Sequence, residues 1–288
     1  MMSARITAAR SFAWNLRMHL RRLGLARLVE GCVHAKPDDV DAVAFRCNLC
    51  GTPNRVARSA LDRDRPSCMA CGSSVRFRAI AWLVVRELIG WDCALPELPP
   101  SKQWRGLGLS DATAYALPFA RKFDYLNTYL HKEPRLDIAN ADLARYGNRD
   151  FVVASDVFEH VAPPVERAFA NARALLRNGG KLFLTAPFTF DAETVEHFPE
   201  LHDWSVEKKA GRWQLRNRTV DGRETIHEKL VFHGGEGTTL EMRNFSQAGL
   251  VRELKRAGFS RVQFATEPYP PFGILWSDPW SVPMVASC

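Results

Sequence analysis

The 288-residue sequence has no stretch approaching the roughly 18 consecutive apolar residues of a membrane-crossing helix. That excludes an α-helical membrane span as an expectation. Acids are absent before Glu30, whereas Arg5, Arg10, Arg17, Arg21, Arg22 and Arg27 lie in that stretch. Much of the formal net charge of +7 is therefore an N-terminal feature. The same stretch lacks the uninterrupted apolar core and small-residue cleavage site of a secretory signal. Aromatic residues are absent from 51–67, a segment rich in arginine. Glycine is thin in "RGLGLSD" (105–111): Gly106 and Gly108 lie in the apolar run, and Ser110, Asp111, Ala112, Thr113 and Ala114 follow. With 46% hydrophobic and 25% charged residues, what remains is an ordinary soluble globular composition.

Residues 1–40 read as a basic amphipathic helix. Phe12, Leu16, Leu20 and Leu23 recur at three- and four-residue steps, with arginines around the rest of the wheel. A transit peptide would look similar, being arginine-rich and acid-poor; the other readings are docking on the body of the protein, or peripheral contact of residues 1–30 with an anionic membrane surface. The expected location is cytoplasmic, with or without that membrane contact.

Four of the seven cysteines form C-x2-C pairs, Cys47/Cys50 and Cys68/Cys71, seventeen residues apart. This spacing is that of a structural zinc ribbon, in which four thiolates close a tetrahedral shell and leave no position for substrate. Gly51 and Gly72 follow the pairs, where a tight turn needs tolerance of positive φ. Two disulfides, or four unrelated thiols, are the alternatives; disulfides need an oxidising compartment. Cys32, Cys93 and Cys288 have no partner pattern and read as plain thiols. Between the pairs, Arg55, Arg58, Arg63 and Arg65 outnumber two acids, but without stacking aromatics the nucleic-acid reading is disfavoured. A helix over 73–91 follows, with Ile80, Leu83, Val84 and Leu88 on one face, then a proline-rich linker. Three regions are expected: the helix of 1–40, the ribbon with its helix and linker over 41–100, and a domain over 101–288.

In that domain, strands "WRGLGL", "FDYLNT", "DFVVASD" and "KLFLTAP" alternate with helices, one of them over 163–180 closed by Gly179-Gly180. The alternation argues for an α/β fold with a doubly wound, mostly parallel sheet. Ligands of such sheets sit beyond the carboxyl ends of the strands. An insertion at about 190–240 breaks the pattern with a hairpin turning at Asp221-Gly222. His202, Asp203, His233 and Glu236 lie in or next to it; His202, His233 and Glu236 read as substrate-wall residues, with an ordinary loop as the alternative. "FSQAGLVRELKRAGF" is a helix, "SRVQFAT" a strand, and "WSVPMVAS" a last strand antiparallel beside it.

"DFVVASDVFEHVAPPVERAFANARALLRNGGKLFLTAPF" resembles the fourth and fifth strands of class I S-adenosylmethionine-dependent methyltransferases (type 11-like), and "FSQAGLVRELKRAGFSRVQ" their late helix and strand. The resemblance covers about 104–288 except 190–240, and a four-cysteine ribbon precedes such domains in similar layouts. It implies a Rossmann-like fold, S-adenosylmethionine as cofactor, and methyl transfer to an O, N or C nucleophile. Its glycine loop falls on Gly108, Leu109, Ser110 and Asp111, with Gly108 at the usual acidic position and Ser110, Ala112 and Ala114 at the glycines. Asn127, with Thr128, falls where an acid takes the ribose hydroxyls. Asp137, with Ile138, falls at the adenine amine, a helix cap being the alternative. Ser155 and Asp156 fall beside the departing methyl. His160 and Asp156 are the candidate catalytic groups; an orienting role for His160 is the other reading. Where base-amine methyltransferases carry Asn/Asp-Pro-Pro-aromatic, this chain reads "SDVFEHV". A small-molecule, sugar or lipid-linked glycan acceptor is therefore preferred. An RNA methyltransferase and a catalytically silent binding module are the alternatives. Zn2+ is expected as a structural ion.

Overall fold

The computed structural model describes residues 41–276 and 280–288; the helix expected over 1–40, and Cys32, lie outside them. The described residues fall into two compact units, one of 41–198 with 242–288 and one of 199–241.

The larger unit begins with an antiparallel hairpin, β1 (Ala42–Arg46) and β2 (Pro53–Ala57). Helix α1 (Val75–Ile89) follows, its start capped by the Ser74 hydroxyl, which accepts from the Phe77 N–H. It ends at Gly90, whose φ of 90° lies in the left-handed region that glycine tolerates. The short apolar runs then form one sheet: β3 (Arg105–Leu109), β4 (Asp124–Thr128), β5 (Arg149–Ser155), β6 (Leu176–Thr185), β7 (Arg261–Phe264) and β8 (Met284–Ser287). Its order is β7-β8-β6-β5-β3-β4. The four strands β3 to β6 are parallel, and β8 runs antiparallel to both β6 and β7. Helix α2 (Thr113–Lys122) crosses from β3 to β4, α3 (Glu166–Ala174) from β5 to β6, and α4 (Gln247–Arg256) precedes β7. The expected Rossmann-like, doubly wound sheet is thus present.

Both faces of β5 are buried, as its near-continuous apolar sequence requires. Phe151 and Val153 pack with Tyr115, Phe119 and Phe123 of the α2 region. Val152 and Ala154 face Phe169 of α3 and Leu250 and Leu254 of α4. The first of these cores is continuous with the cysteine-bearing segment: Phe45, Cys47, Leu49, Val56, Cys68 and the buried face of α1 belong to it. The proline-rich connection over 94–100 is packed into the same core, with Ala94, Leu95 and Leu98 buried and Leu95 N donating to Asn48 O.

One helix ends earlier than its sequence suggests. The periodicity of 163–180 predicts continuation to Gly179-Gly180, but α3 stops at Ala174 and β6 begins at Leu176. Leu175 O accepts from Arg149 N (2.9 Å), and Leu176 pairs with Arg149 across a local irregularity. Pairing with β5 overrides the helical period of Leu175 and Leu176, and both glycines lie in the strand.

Residues 199–241 carry a three-stranded antiparallel sheet of Asp203–Lys209, Arg212–Arg218 and Glu224–His227. The last two strands turn through Asp221-Gly222, with Gly222 at φ 86°. Among the described residues no helix is long and apolar enough to cross a membrane.

Arg78 of α1 joins the parts of the larger unit. Its guanidinium is fully buried, with no carboxylate partner among the described residues, and lies over the Phe45 ring. It donates to Ser67 Oγ, Ser73 O, Phe272 O and Gly273 O. Arg78→Ala would strand these acceptors and open a cavity. We expect it to lower stability by about 3 kcal/mol or more in urea unfolding; a loss below about 1 kcal/mol would contradict this role.

Candidate functional site

The carboxyl end of β3 runs into a tight loop that turns at Ser110. Ser110 has a φ of 59°, a left-handed conformation that a glycine at this position would adopt freely. Its N–H donates to Thr128 O (2.8 Å), tying the loop to β4, and Thr128 Oγ1 donates back to Gly108 O (2.7 Å). Ser110 is exposed, whereas Leu109 packs into the core beside α3 and α4.

Asp111 is turned inward. Its carboxylate accepts from Tyr115 Oη (2.6 Å) and, in a short contact, from Tyr125 Oη. A side chain at Gly108 would collide with this group: an added Cβ lies 2.4 Å from Asp111 Oδ2 and 2.3 Å from Tyr125 Oη. The Asp111 carboxylate therefore occupies space that an acid at 108 would need, and Gly108 is glycine for that reason. Burial pushes Asp111 up to about 7, opposed by both tyrosine hydroxyls and by Arg76. Burial, and Asp111 next, raise both tyrosines well above their ordinary value.

Asn127 ends β4, but its amide serves the loop. Oδ1 accepts from Asp111 N (3.0 Å), and Nδ2 donates to Asp111 O (2.9 Å) and Tyr129 Oη (3.3 Å). Leu136 N donates to Tyr129 O, which returns the chain beside β4 before Asp137 and the buried Ile138. Asp137 caps a short turn, accepting from Ala139 N (2.9 Å) and Asn140 Nδ2 (3.0 Å). A carboxylate has about four acceptor sites, so two remain.

At the end of β5, Asp156 sits at φ 54° and receives three donors. Arg63 reaches Oδ1 (2.6 Å), Arg76 reaches Oδ2 (3.0 Å), and Thr185 Oγ1 donates to Oδ1 (2.7 Å). Arg76 also donates to Ser155 Oγ (2.5 Å). Asp64 bridges the same two guanidiniums, 2.7 Å from each. Burial acts to raise the Asp156 carboxyl, but Arg76 and Arg63 hold it well below the carboxylate range. Next along, the turn Phe158–His160 is fastened by Arg243 NH1, which donates to Phe158 O (2.6 Å), and by Met242 N, which donates to Glu159 O (2.8 Å). Glu159 is buried with neither carboxyl oxygen hydrogen-bonded; burial, and the nearby Asp156, raise its pKa strongly. His160 Nε2 lies 3.9 Å from Glu159 Oε1.

Arg63, Arg76, Asp64, Thr185 and Glu159 were missed in the sequence. The one signal was the surplus of arginine between the cysteine pairs, which includes Arg63 but suggested only a disfavoured nucleic-acid contact. Arg63 instead points inward onto Asp156.

The four cysteines of the ribbon come together. Cys47 Sγ lies 3.7 Å from Cys71 Sγ and Cys50 Sγ 3.6 Å from Cys68 Sγ, and all four sulfurs lie within 4.8 Å of one another. Disulfide sulfurs would be about 2 Å apart. A tetrahedron of thiolates about 2.3 Å from zinc has edges of about 3.8 Å, so the donor set fits that ion. The nearby Arg78 fits it too: burial lowers its pKa, the four cysteines oppose that, and a tetrathiolate site supplies the anionic charge that its guanidinium otherwise lacks.

In the 199–241 unit, His202 is exposed and its N–H donates to Asn217 Oδ1 (2.9 Å). His233 Nε2 pairs with Glu241 (2.8 Å), and the exposed Glu236 lies 3.8 Å from Lys208. Each of the three thus has a different neighbour.

Residues 68–184, from the third cysteine of the ribbon into β6, match the model of a methyltransferase domain. No curated protein matches the chain at a significant level. Similar solved structures include the N-terminal domain of EvdMO1 with SAH bound, at 15% identity over 75% of this chain and 81% of that one, TM-score 0.42. The glycopeptide N-methyltransferase MtfA complexed with S-adenosylmethionine is 17% identical over 67% of this chain and 90% of its own, TM-score 0.40. An S-adenosylmethionine-dependent methyltransferase from Mesorhizobium loti is 14% identical over 73% and 98%, TM-score 0.41.

Two measurements follow from this geometry. Purified protein should carry about one zinc per chain by elemental analysis, and Cys68→Ser should lower that ratio and the melting temperature together. Folded protein free of zinc would contradict the first. Asp111 holds its proton more tightly folded than unfolded. Its favourable contribution is therefore full below about pH 4 and declines as pH rises towards 7. Asp111→Asn should reduce the stability lost between pH 5.5 and 7.5 by about 1–2 kcal/mol in urea unfolding. An unchanged pH slope would show that Asp111 is not the titrating group.

Proposed function

We propose that this chain is an S-adenosylmethionine-dependent methyltransferase acting on an O, N or C nucleophile of a small-molecule or glycan acceptor. The observation that carries this reading is the carboxyl edge of the sheet. Tight turns at Ser110 and Asp156 close β3 and β5, within the stretch that matches the methyltransferase-domain family. The cofactor contributes a methyl group already activated on a sulfonium.

Exposed Ser110 and the backbone around it would line the cofactor, with Gly108, Leu109 and Thr128 shaping the loop from below. Asp137, with two acceptor sites to spare, and Ile138 would take the adenine. Asn127 and Asp111 hold the loop from within; neither side chain faces the ligand without giving up its present bonds. Asp156 is a weak base because two guanidiniums stabilise its ionised form, so it serves as an ionic anchor with Ser155. His160, in the following turn, would take a proton from the acceptor, an orienting role being the other reading. The four-cysteine ribbon would hold a structural zinc that braces the site.

Calorimetric titration of the zinc-loaded protein with S-adenosylmethionine and S-adenosylhomocysteine tests this. Micromolar binding is expected, weakened roughly tenfold by Asp137→Ala. Well-folded protein that binds neither would favour the silent-module reading.

A further inference from the structure

We propose that Arg63 and Arg76, reaching from the cysteine-bearing segment to the end of β5, form with Asp156 a receptor for the zwitterionic amino-acid end of the cofactor. This rests on the cofactor reading above and assigns one part of it. The guanidiniums take the ligand's carboxylate; Asp156, with Ser155, takes its ammonium.

The charges alternate. Arg63 and Arg76 each contact both Asp64 and Asp156, so two cations and two anions close a ring. The two acids differ. Asp156 is anchored from below by Thr185 and has a side chain only 19% exposed, whereas the Asp64 side chain is 50% exposed. Asp64 places one oxygen on each guanidinium, which is how a ligand carboxylate would bridge them. It is a placeholder that can swing into water. With Asp64 displaced, Arg63, Arg76 and Asp156 carry a net positive charge, which the ligand's carboxylate neutralises. A zwitterion brings one charge of each sign and leaves no buried charge without a partner.

Unpartnered atoms point to the same ligand. Arg63 Nε is buried without a hydrogen bond, although the rest of its guanidinium is engaged. Both oxygens of Glu159, three residues beyond Asp156, are buried without a hydrogen bond. The receptor also compensates for the loop after β3. There Gly108 has no side chain and the Asp111 carboxylate is locked on Tyr115 and Tyr125, so neither offers a free anion to an ammonium.

The test compares two nucleosides that differ in this end alone. S-Adenosylhomocysteine carries the amino-acid group; 5′-methylthioadenosine does not. Both are titrated calorimetrically into wild type, Arg63→Met, Arg76→Met and Asp64→Ala. Loss of either arginine should weaken S-adenosylhomocysteine roughly tenfold to a hundredfold and leave 5′-methylthioadenosine within about twofold. Asp64→Ala removes the competing carboxylate and should tighten S-adenosylhomocysteine a few-fold while leaving the other nucleoside unchanged. Equal weakening of both nucleosides by the arginine variants would overturn this assignment while the cofactor reading stands. So would weaker S-adenosylhomocysteine binding by Asp64→Ala, which also decides the matter if an arginine variant fails to fold. Wild type that binds neither nucleoside would overturn the cofactor reading, and this assignment with it.

Discussion

A guanidinium without a carboxylate, buried at the centre of the larger unit, is the constraint around which its parts are arranged. Arg78 cannot shed its proton at working pH, so its burial demands acceptors from several directions at once. It finds them in Ser67 and Ser73 of the cysteine-bearing segment and in the Phe272–Gly273 carbonyls near the end of the chain. Gly273 must approach closely, since a Cβ there would lie 2.6 Å from the Phe45 ring on which Arg78 also rests. The ribbon is therefore not an appendage on a linker. It shares one apolar core with α1, α2 and the sheet.

Fixing the ribbon against the sheet has a chemical consequence. Arg63 and Arg76 flank the second cysteine pair in sequence, yet in space they lie over the end of β5, where they hold Asp156 ionised. At the neighbouring strand end the charge logic is reversed. Asp111 is buried among hydroxyls with no direct cation, and its pKa rises. Two aspartates at adjacent strand ends are thus held in opposite conditions: one permanently charged and available for ionic recognition, the other a structural hydrogen-bond acceptor. The loop between β3 and α2 makes a left-handed turn at Ser110 without a glycine there.

The parts legible in the sequence were those set by local pattern. The two-face burial of β5 follows from its continuous apolar run, the hairpin at Asp221-Gly222 from its turn residues, and the convergence of Cys47, Cys50, Cys68 and Cys71 from their spacing. The early end of α3 was not legible, because Leu175 and Leu176 continue a helical stripe and only pairing with Arg149 shows that they leave it. Nor was the inward turn of Asp111, because Tyr115 lies one helical turn away on α2 and Tyr125 on another strand.

By itself the sequence determined the alternation of strands and helices, the cysteine cluster, and which polar residues stand at the strand ends. These depend on periodicity and on spacings of a few residues, which the backbone converts directly into geometry. Only the tertiary structure decided which of those polar groups face outward and which are consumed within. It also decided that arginines 93 and 79 residues before their partners Asp156 and Ser155 would meet them. Such meetings depend on how the ribbon packs on the sheet, and that packing is set by the shared core and by the acceptors around Arg78 rather than by any local run of residues.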